Sequence, residues 1–198
     1  MKIFEYGEKE INYLKNKDKK LASAIDRIGM IECKLTPCAF SALIQSIISQ
    51  QISDKASVTV TNRLYELVGE LNAENIVKLT TEQIQKCGMS TRKASYIKGI
   101  SESVLSGEIN FEELDFLNDK EVIKKLTTLN GVGEWTAEML LIFSYNRMNI
   151  LSYKDLAIRR GIMNIYGHEE LTKEQFEKYR KRYSPYCSVA SLYIWKLS

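Results

Sequence analysis

The chain of 198 residues holds only two prolines, Pro37 and Pro185. So few helix breakers, beside abundant Lys, Glu, Leu and Ile, point to an all-helical fold. Strict two-residue alternation never runs far enough to build a sheet. The one histidine, His168, follows Tyr166-Gly167 at an expected helix end and reads as a surface residue. A Ser-His-Asp or Cys-His mechanism would rest on it alone, and nothing beside it supports one. Cysteine is scarce: Cys33, Cys38, Cys87 and Cys187, with no CxxC pair. A zinc or iron–sulfur site needs converging thiolates, usually at tight spacing, so these read as reduced thiols packed as small apolar groups. Long apolar runs are missing as well. Met139 to Phe143 is far too short to cross a bilayer, and the opening segment turns charged within a few residues, with no signal peptide. The expectation is a cytoplasmic protein with no membrane partner. Repeats, low-complexity segments and flexible linkers are also lacking.

What is present is ordinary for a soluble globular chain: 44% hydrophobic and 27% charged residues. The net charge of +3 permits an anionic partner without demanding one. Helical spacing marks Ile11 to Ile28 as two short helices. Thr36 is expected to cap a longer helix with Pro37 in its first turn and Phe40, Leu43, Ile44, Ile47 and Ile48 on its buried face. Ser53-Asp54, Thr80-Thr81, Ser90-Thr91 and Asn118-Asp119 open further helices. Asp155 caps Leu156 to Tyr166, Leu171-Thr172 precedes Lys173 to Arg182, and Ser184-Pro185 opens the last helix.

The most informative segment is Lys125-Leu126-Thr127-Thr128-Leu129-Asn130-Gly131-Val132-Gly133-Glu134-Trp135-Thr136-Ala137. A helix runs into Leu129, two glycines flank a buried valine, and a second helix starts at once. Gly131 and Gly133 can adopt positive φ and carry no side chain, so a surface can approach the backbone closely. The unpaired N–H groups of the turn and the next helix's first residues form an anion site with the helix dipole. A phosphate fits there without any base being read. A tight turn between packed helices is the alternative for a bare GxG. Leu-x-Gly-Val-Gly before an apolar helix is more specific, and it resembles the helix-hairpin-helix DNA-binding motif.

Two further segments, Ser46 to Ser53 and Leu151 to Gly161, extend that likeness, as does the ending Tyr183 to Trp195. The order resembles the helix-hairpin-helix base-excision DNA glycosylases, and within them the 3-methyladenine DNA glycosylases of the second, alkylation-repair type. The resemblance runs from about Thr36 to the end. It implies two helical lobes, 36–150 with six helices and the hairpin, and 1–35 with 151–198, and a DNA-binding cleft between them. It makes Asp155 the catalytic residue, where a carboxylate stabilises a developing oxocarbenium ion and orients the attacking water; capping Leu156 to Tyr166 is its alternative role. It places Leu129, Gly131, Val132, Gly133 and Thr136 at the DNA-binding hairpin. Trp135, Met139 and Trp195 fall at the base pocket, though Trp135 and Trp195 also suit the core. Trp135 stands where lyase relatives carry a Schiff-base lysine, which implies base removal without strand cleavage. A cationic alkylated purine stacks well on such a ring. Some relatives have an aromatic at the Met139 position, and a methionine there makes a softer wall.

The base must leave the stack before reaction. Gln51, Ile52 and Ser53 match the loop that enters the duplex, with Gln51 as plug; Gln50 and Gln51 as polar helix-end residues and Ser53 as an N-cap form the alternative. The carbonyls of Thr127, Leu129 and Val132 match those that hold a structural monovalent cation, Na or K, in such hairpins. No cofactor is required, and the iron–sulfur cluster of endonuclease-type relatives is expected to be absent, since only Cys187 follows Asp155. Arg159-Arg160 are candidates for phosphate contact, whereas Lys178 and Arg180 read as a solvated helix face. The expected partner is double-stranded DNA with damaged bases, bound by a monomer, nucleoid-associated in a bacterium. Removal of hypoxanthine or uracil, non-catalytic DNA binding, and a purely structural hairpin are the competing readings.

Overall fold

The computed structural model describes residues 2–198. Thirteen helices lie among them, in the order α1 Glu8–Lys17, α2 Lys19–Ile28, α3 Ala39–Ser49, α4 Asp54–Val68, α5 Ala73–Val77, α6 Thr81–Gln85, α7 Thr91–Leu105, α8 Phe111–Leu114, α9 Asp119–Leu126, α10 Glu134–Phe143, α11 Leu156–Tyr166, α12 Lys173–Tyr183 and α13 Cys187–Trp195. The fold is all-α: among the described residues the only β pairing is an isolated bridge between Ile3 and Lys34. No helix among them is long and apolar enough to cross a membrane.

Most helix starts follow their caps. Ser53, Thr80, Ser90, Asn118, Asp155 and Thr172 each accept an amide of the first turn with a side-chain oxygen. Two starts differ from expectation. α3 begins at Ala39 with Cys38 as an N-cap that makes no side-chain bond, and α13 begins at Cys187 rather than at Pro185. The residue before a proline is pushed out of the helical region, and Ser184 is extended at ψ 135°. The one-turn helices α5 and α8 are additions, too short to show a period.

The chain divides into two compact units, one formed by Thr36–Leu140 and one by the residues up to Leu35 with Leu141–Ser198. The boundary thus falls inside α10, ten residues before the expected one. The reason is hydrogen bonding to α13: Ser188 N donates to Met148 O at 2.9 Å, Ile150 N to Ser188 Oγ at 3.0 Å, and Ser191 Oγ to Ile150 O at 3.2 Å. Each such bond removes a buried unsatisfied group that would otherwise cost about 1–3 kcal/mol.

In the unit Thr36–Leu140, α3 is the central rod. Leu43, Ile44, Ile47 and Ile48 are wholly buried, each worth roughly 2 kcal/mol of apolar transfer, and α3 packs on α4 and α7. In the other unit that place belongs to α13, buried from Cys187 to Ile194 and packed on α2, α11 and α12. A helix apolar on all sides has no solvent face. Gly161 of α11 allows the closest approach, because a Cβ there would stand 2.2 Å from the Ile194 carbonyl.

His168 is not a free surface residue. Gly167, left-handed at φ 72°, turns the chain after α11, so that the His168 ring stacks beside Tyr166 and its Nε2 meets Tyr179 OH at 2.6 Å. Asp18, buried at the start of α2, accepts from Leu21 N at 2.9 Å and from Arg182 at 2.5 Å. Burial alone would raise its carboxyl, but bonds from the Leu21 amide, Arg182 and Tyr166 outweigh it and hold it below the usual carboxylate range. Cys87 and Cys187 are buried as expected, Cys33 is half-buried, and Cys38 is exposed. Burial pushes the Cys187 thiol up to about 12, which keeps it inert.

Candidate functional site

In the unit Thr36–Leu140, α9 ends at Leu126 and α10 starts at Glu134. The intervening turn is closed by Val132 N donating to Leu129 O at 3.1 Å. Only one of its glycines needs its conformational freedom. Gly131 sits at φ +86°, and a Cβ there would meet the Tyr96 ring at 2.2 Å. Gly133 has no positive φ, and a Cβ there would meet nothing within 4 Å, so its contribution is open access to the backbone. Leu129, Val132 and Thr136 are buried, so their side chains shape the turn rather than face a ligand. The surface on offer is the exposed main chain at Gly133 and Glu134, at the positive end of α10.

The loop after α3 meets this hairpin. Gln50 Nε2 donates to Gly131 O at 3.0 Å, and Lys93 Nζ of α7 donates to Ile48 O at 2.7 Å and to Gln50 O. Burial pulls the Lys93 ammonium below the usual lysine range. Gln51, Ile52 and Ser53 are all exposed, and Gln51 has a left-handed φ of 58°, uncommon for a residue with a side chain. Ser53 Oγ accepts from Ala56 N at 3.3 Å, so it is an N-cap. An open groove of about 900 Å³ is lined by Gln50, Gln51, Arg92, Tyr96, Gly131 and Trp135. Trp135 is 39% exposed, and Met139, one turn on, is half-buried.

The carboxylate stands in the other unit. Asp155 is 7% exposed at the N-terminus of α11. Its Oδ1 accepts from Ile158 N at 3.0 Å, and its Oδ2 accepts from Trp195 Nε1 at 3.2 Å. Capping and orientation by a second group therefore coexist. The Trp195 ring stacks on Phe143, with centroids 5.6 Å apart and planes 26° from parallel. The loop before Asp155 is held in turn by Arg180 Nη2, which donates to Leu151 O at 2.9 Å while the side chain stays partly exposed beside Glu177, so Arg180 does more than cover a solvated face. Lys178 does lie exposed, beside Glu174. Arg159 lies over the Tyr153 ring at 5.2 Å.

A family model for HhH-GPD superfamily base excision DNA repair proteins matches residues 44–185. The chain belongs to this superfamily. The HhH-GPD protein is 35% identical over 164 residues to DNA-3-methyladenine glycosylase 1 of Schizosaccharomyces pombe, covering 80% of this chain and 72% of that one. It superposes on the crystal structure of a DNA-3-methyladenine glycosidase from Bacillus halodurans with a TM-score of 0.89 at 35% identity, covering 99% and 92% of the two chains. The Schizosaccharomyces pombe 3-methyladenine DNA glycosylase in complex with abasic DNA gives a TM-score of 0.83 at 31% identity, with 95% of each chain covered.

Sequence reasoning reached Gln51, Gly131 and Trp135 in one unit and Asp155 and Trp195 in the other. It missed Gln50, Lys93 and Tyr96 as partners of the loops, Phe143 as the stacking partner of Trp195, and Arg180 as a support. The bonds from Gln50, Lys93 and Arg180 span 81, 45 and 29 residues, so no local pattern announces them.

Proposed function

We propose that this protein is a monofunctional DNA glycosylase that removes alkylated purines, such as 3-methyladenine and 7-methylguanine, and leaves an abasic site. The hairpin at Leu129 to Thr136 binds a phosphate of double-stranded DNA through main-chain N–H groups, independent of sequence. The damaged nucleotide leaves the stack, and Gln51, flanked by Ile52 and Ser53, takes its place. Trp135, Met139 and Trp195 are assigned to the base. An electron-rich ring favours the cationic alkylated purine over its neutral parent.

Such a base is already a good leaving group, so no strong general acid is needed. As the N-glycosidic bond breaks, positive charge develops on the sugar. The Asp155 carboxylate stabilises it and orients or deprotonates the attacking water. The observation that carries this reading is Asp155 itself, a buried carboxylate whose two oxygens are held by Ile158 N and Trp195 Nε1. With Trp135 where lyase relatives have a lysine, no Schiff base forms. Thr127, Leu129 and Val132 would act through their carbonyl oxygens, hard donors that suit Na or K. A cation there would add positive charge beside the phosphate. The protein is taken to act as a monomer in the cytoplasm, on the nucleoid in a bacterium.

The test is base release from methylated duplex DNA. Wild type is expected to release 3-methyladenine, and Asp155→Asn to be slower by about a hundredfold or more. If neither releases base while both bind DNA, the enzyme reading fails. Borohydride should trap no protein on DNA, and capture would sink the monofunctional assignment.

A further inference from the structure

The two DNA-facing loops of the unit Thr36–Leu140 are joined by a closed set of contacts. α3 ends at Ser49, and the last carbonyls of a helix have no partner within it. Here the cap comes from 45 residues away: the Lys93 ammonium donates to Ile48 O and Gln50 O. One helical turn further along α7, Tyr96 lies against Gly131 of the hairpin. Gln50 Nε2 then ties the first loop to the second through Gly131 O at 3.0 Å. One helix thus supports both loops, and a side chain joins the loops directly. Between these anchors Gln51 is exposed and left-handed at φ 58°. A residue with a side chain keeps such a conformation when its surroundings over-determine it.

We propose that Lys93 and Gln50 are positioning residues that lock the Gln51 turn to the Gly131 hairpin. The proposal rests on the reading that Gln51 enters the duplex. The phosphate grip then sets the depth and direction of the plug: once the hairpin seats on the backbone, Gln51 is already aimed at the stack. Lys93 is not counted as a phosphate contact, because two of its three donors are directed at the carbonyl oxygens of Ile48 and Gln50. This separates it from Arg92 beside it, which is exposed.

Three readouts on Lys93→Met test this. On a duplex with one 7-methylguanine, the single-turnover rate should fall by about tenfold or more, since misplacement by an ångström costs that much. In a Gln51→Ala background the same substitution should cost less than about twofold, because the turn it aims no longer carries a plug. For undamaged duplex, the slope of log affinity against log salt should change by less than about half a unit. A slope reduced by about 0.9 would make Lys93 a phosphate contact and overturn the proposal. Penalties of Lys93→Met and Gln51→Ala that multiply would overturn it too. If Lys93→Met fails to fold, Gln50→Leu decides, since it breaks only the bond to Gly131 O and should show the same non-additivity. Hydrogen exchange in the DNA-free protein reads the brace by itself: Lys93→Met should speed exchange at Ile52 and Val132, whose amides donate to Ser49 O and Leu129 O, and unchanged protection there would refute it. Wild type that releases no methylated base, or Gln51→Ala equal to wild type, would instead count against the glycosylase or plug reading, and the exchange result would still judge the brace.

Discussion

Two glycine substitutions in helices should act in opposite directions. Gly99 lies within α7, and a Cβ there would meet nothing within 4 Å. Gly99→Ala removes backbone freedom from the unfolded chain and should stabilise the protein by roughly 0.5–1 kcal/mol. Gly161 lies within α11, where a Cβ would come 2.2 Å from the Ile194 carbonyl oxygen and 2.6 Å from its side chain. A backbone carbonyl cannot rotate away, so α13 must move off by about 1 Å, an overpacking cost of roughly 1–3 kcal/mol. It also strands bonds that α13 makes, at about 1–3 kcal/mol for each buried group left unpaired. Less the helix gain, Gly161→Ala should lose roughly 2–3 kcal/mol, which at this chain length lowers the melting temperature by about 5–10 °C. The same movement carries Trp195, the next residue, and its 3.2 Å bond to Asp155 Oδ2 has little length to spare. Base release should therefore fall even at temperatures where the variant is fully folded. Thermal melting and single-turnover release on one preparation check both. A stabilised Gly161→Ala would refute the packing argument; a destabilised variant with unchanged release would refute the coupling to Asp155.

The hairpin glycines should separate stability from binding. Gly131→Ala strains a φ of +86° and strikes the Tyr96 ring, so it should lower both the melting temperature and affinity for undamaged duplex. Gly133→Ala has open space and should weaken only binding, by about tenfold, with folding intact by melting. Asp18 links stability to acid. Its carboxyl is held below its unfolded value, so its contribution is fully present above the unfolded value near ~4 and is lost as pH falls through the folded one. Asp18→Asn should be less stable at neutral pH by about 1–2 kcal/mol, because its partner Arg182 is partly exposed, and its melting curve should be flatter in acid. Parallel pH profiles would contradict this.

The caps were legible because they are short-range events. Ser53 or Asp155 needs only a free amide two or three residues ahead, and that arrangement is written in adjacent positions. The prolines misled because both lie ahead of the caps: Pro37 falls in a bend before Cys38, and Pro185 in a turn closed by Tyr186 N donating to Tyr183 O at 2.8 Å, so the helices start only at Ala39 and Cys187. The hairpin was legible because Gly131 and Gly133 interrupt an apolar pattern between two helices. Which glycine needs its φ was not, since that depends on Tyr96, 35 positions earlier in the chain.

By itself the amino-acid order determined that this chain is all-helical, where most of its helices start, that a glycine turn joins α9 to α10, and that Asp155 opens a helix. These follow from backbone sterics and hydrogen bonding over a few residues. Tertiary structure alone decided that Trp195 holds the second oxygen of Asp155, that Lys93 is spent on the end of α3, and that Gln50 joins two loops. Most of those partners are separated by 40 to 81 residues, and their meeting depends on how α3 and α13 bury their apolar faces. Packing of that kind is a property of the whole chain, which no local stretch of it encodes.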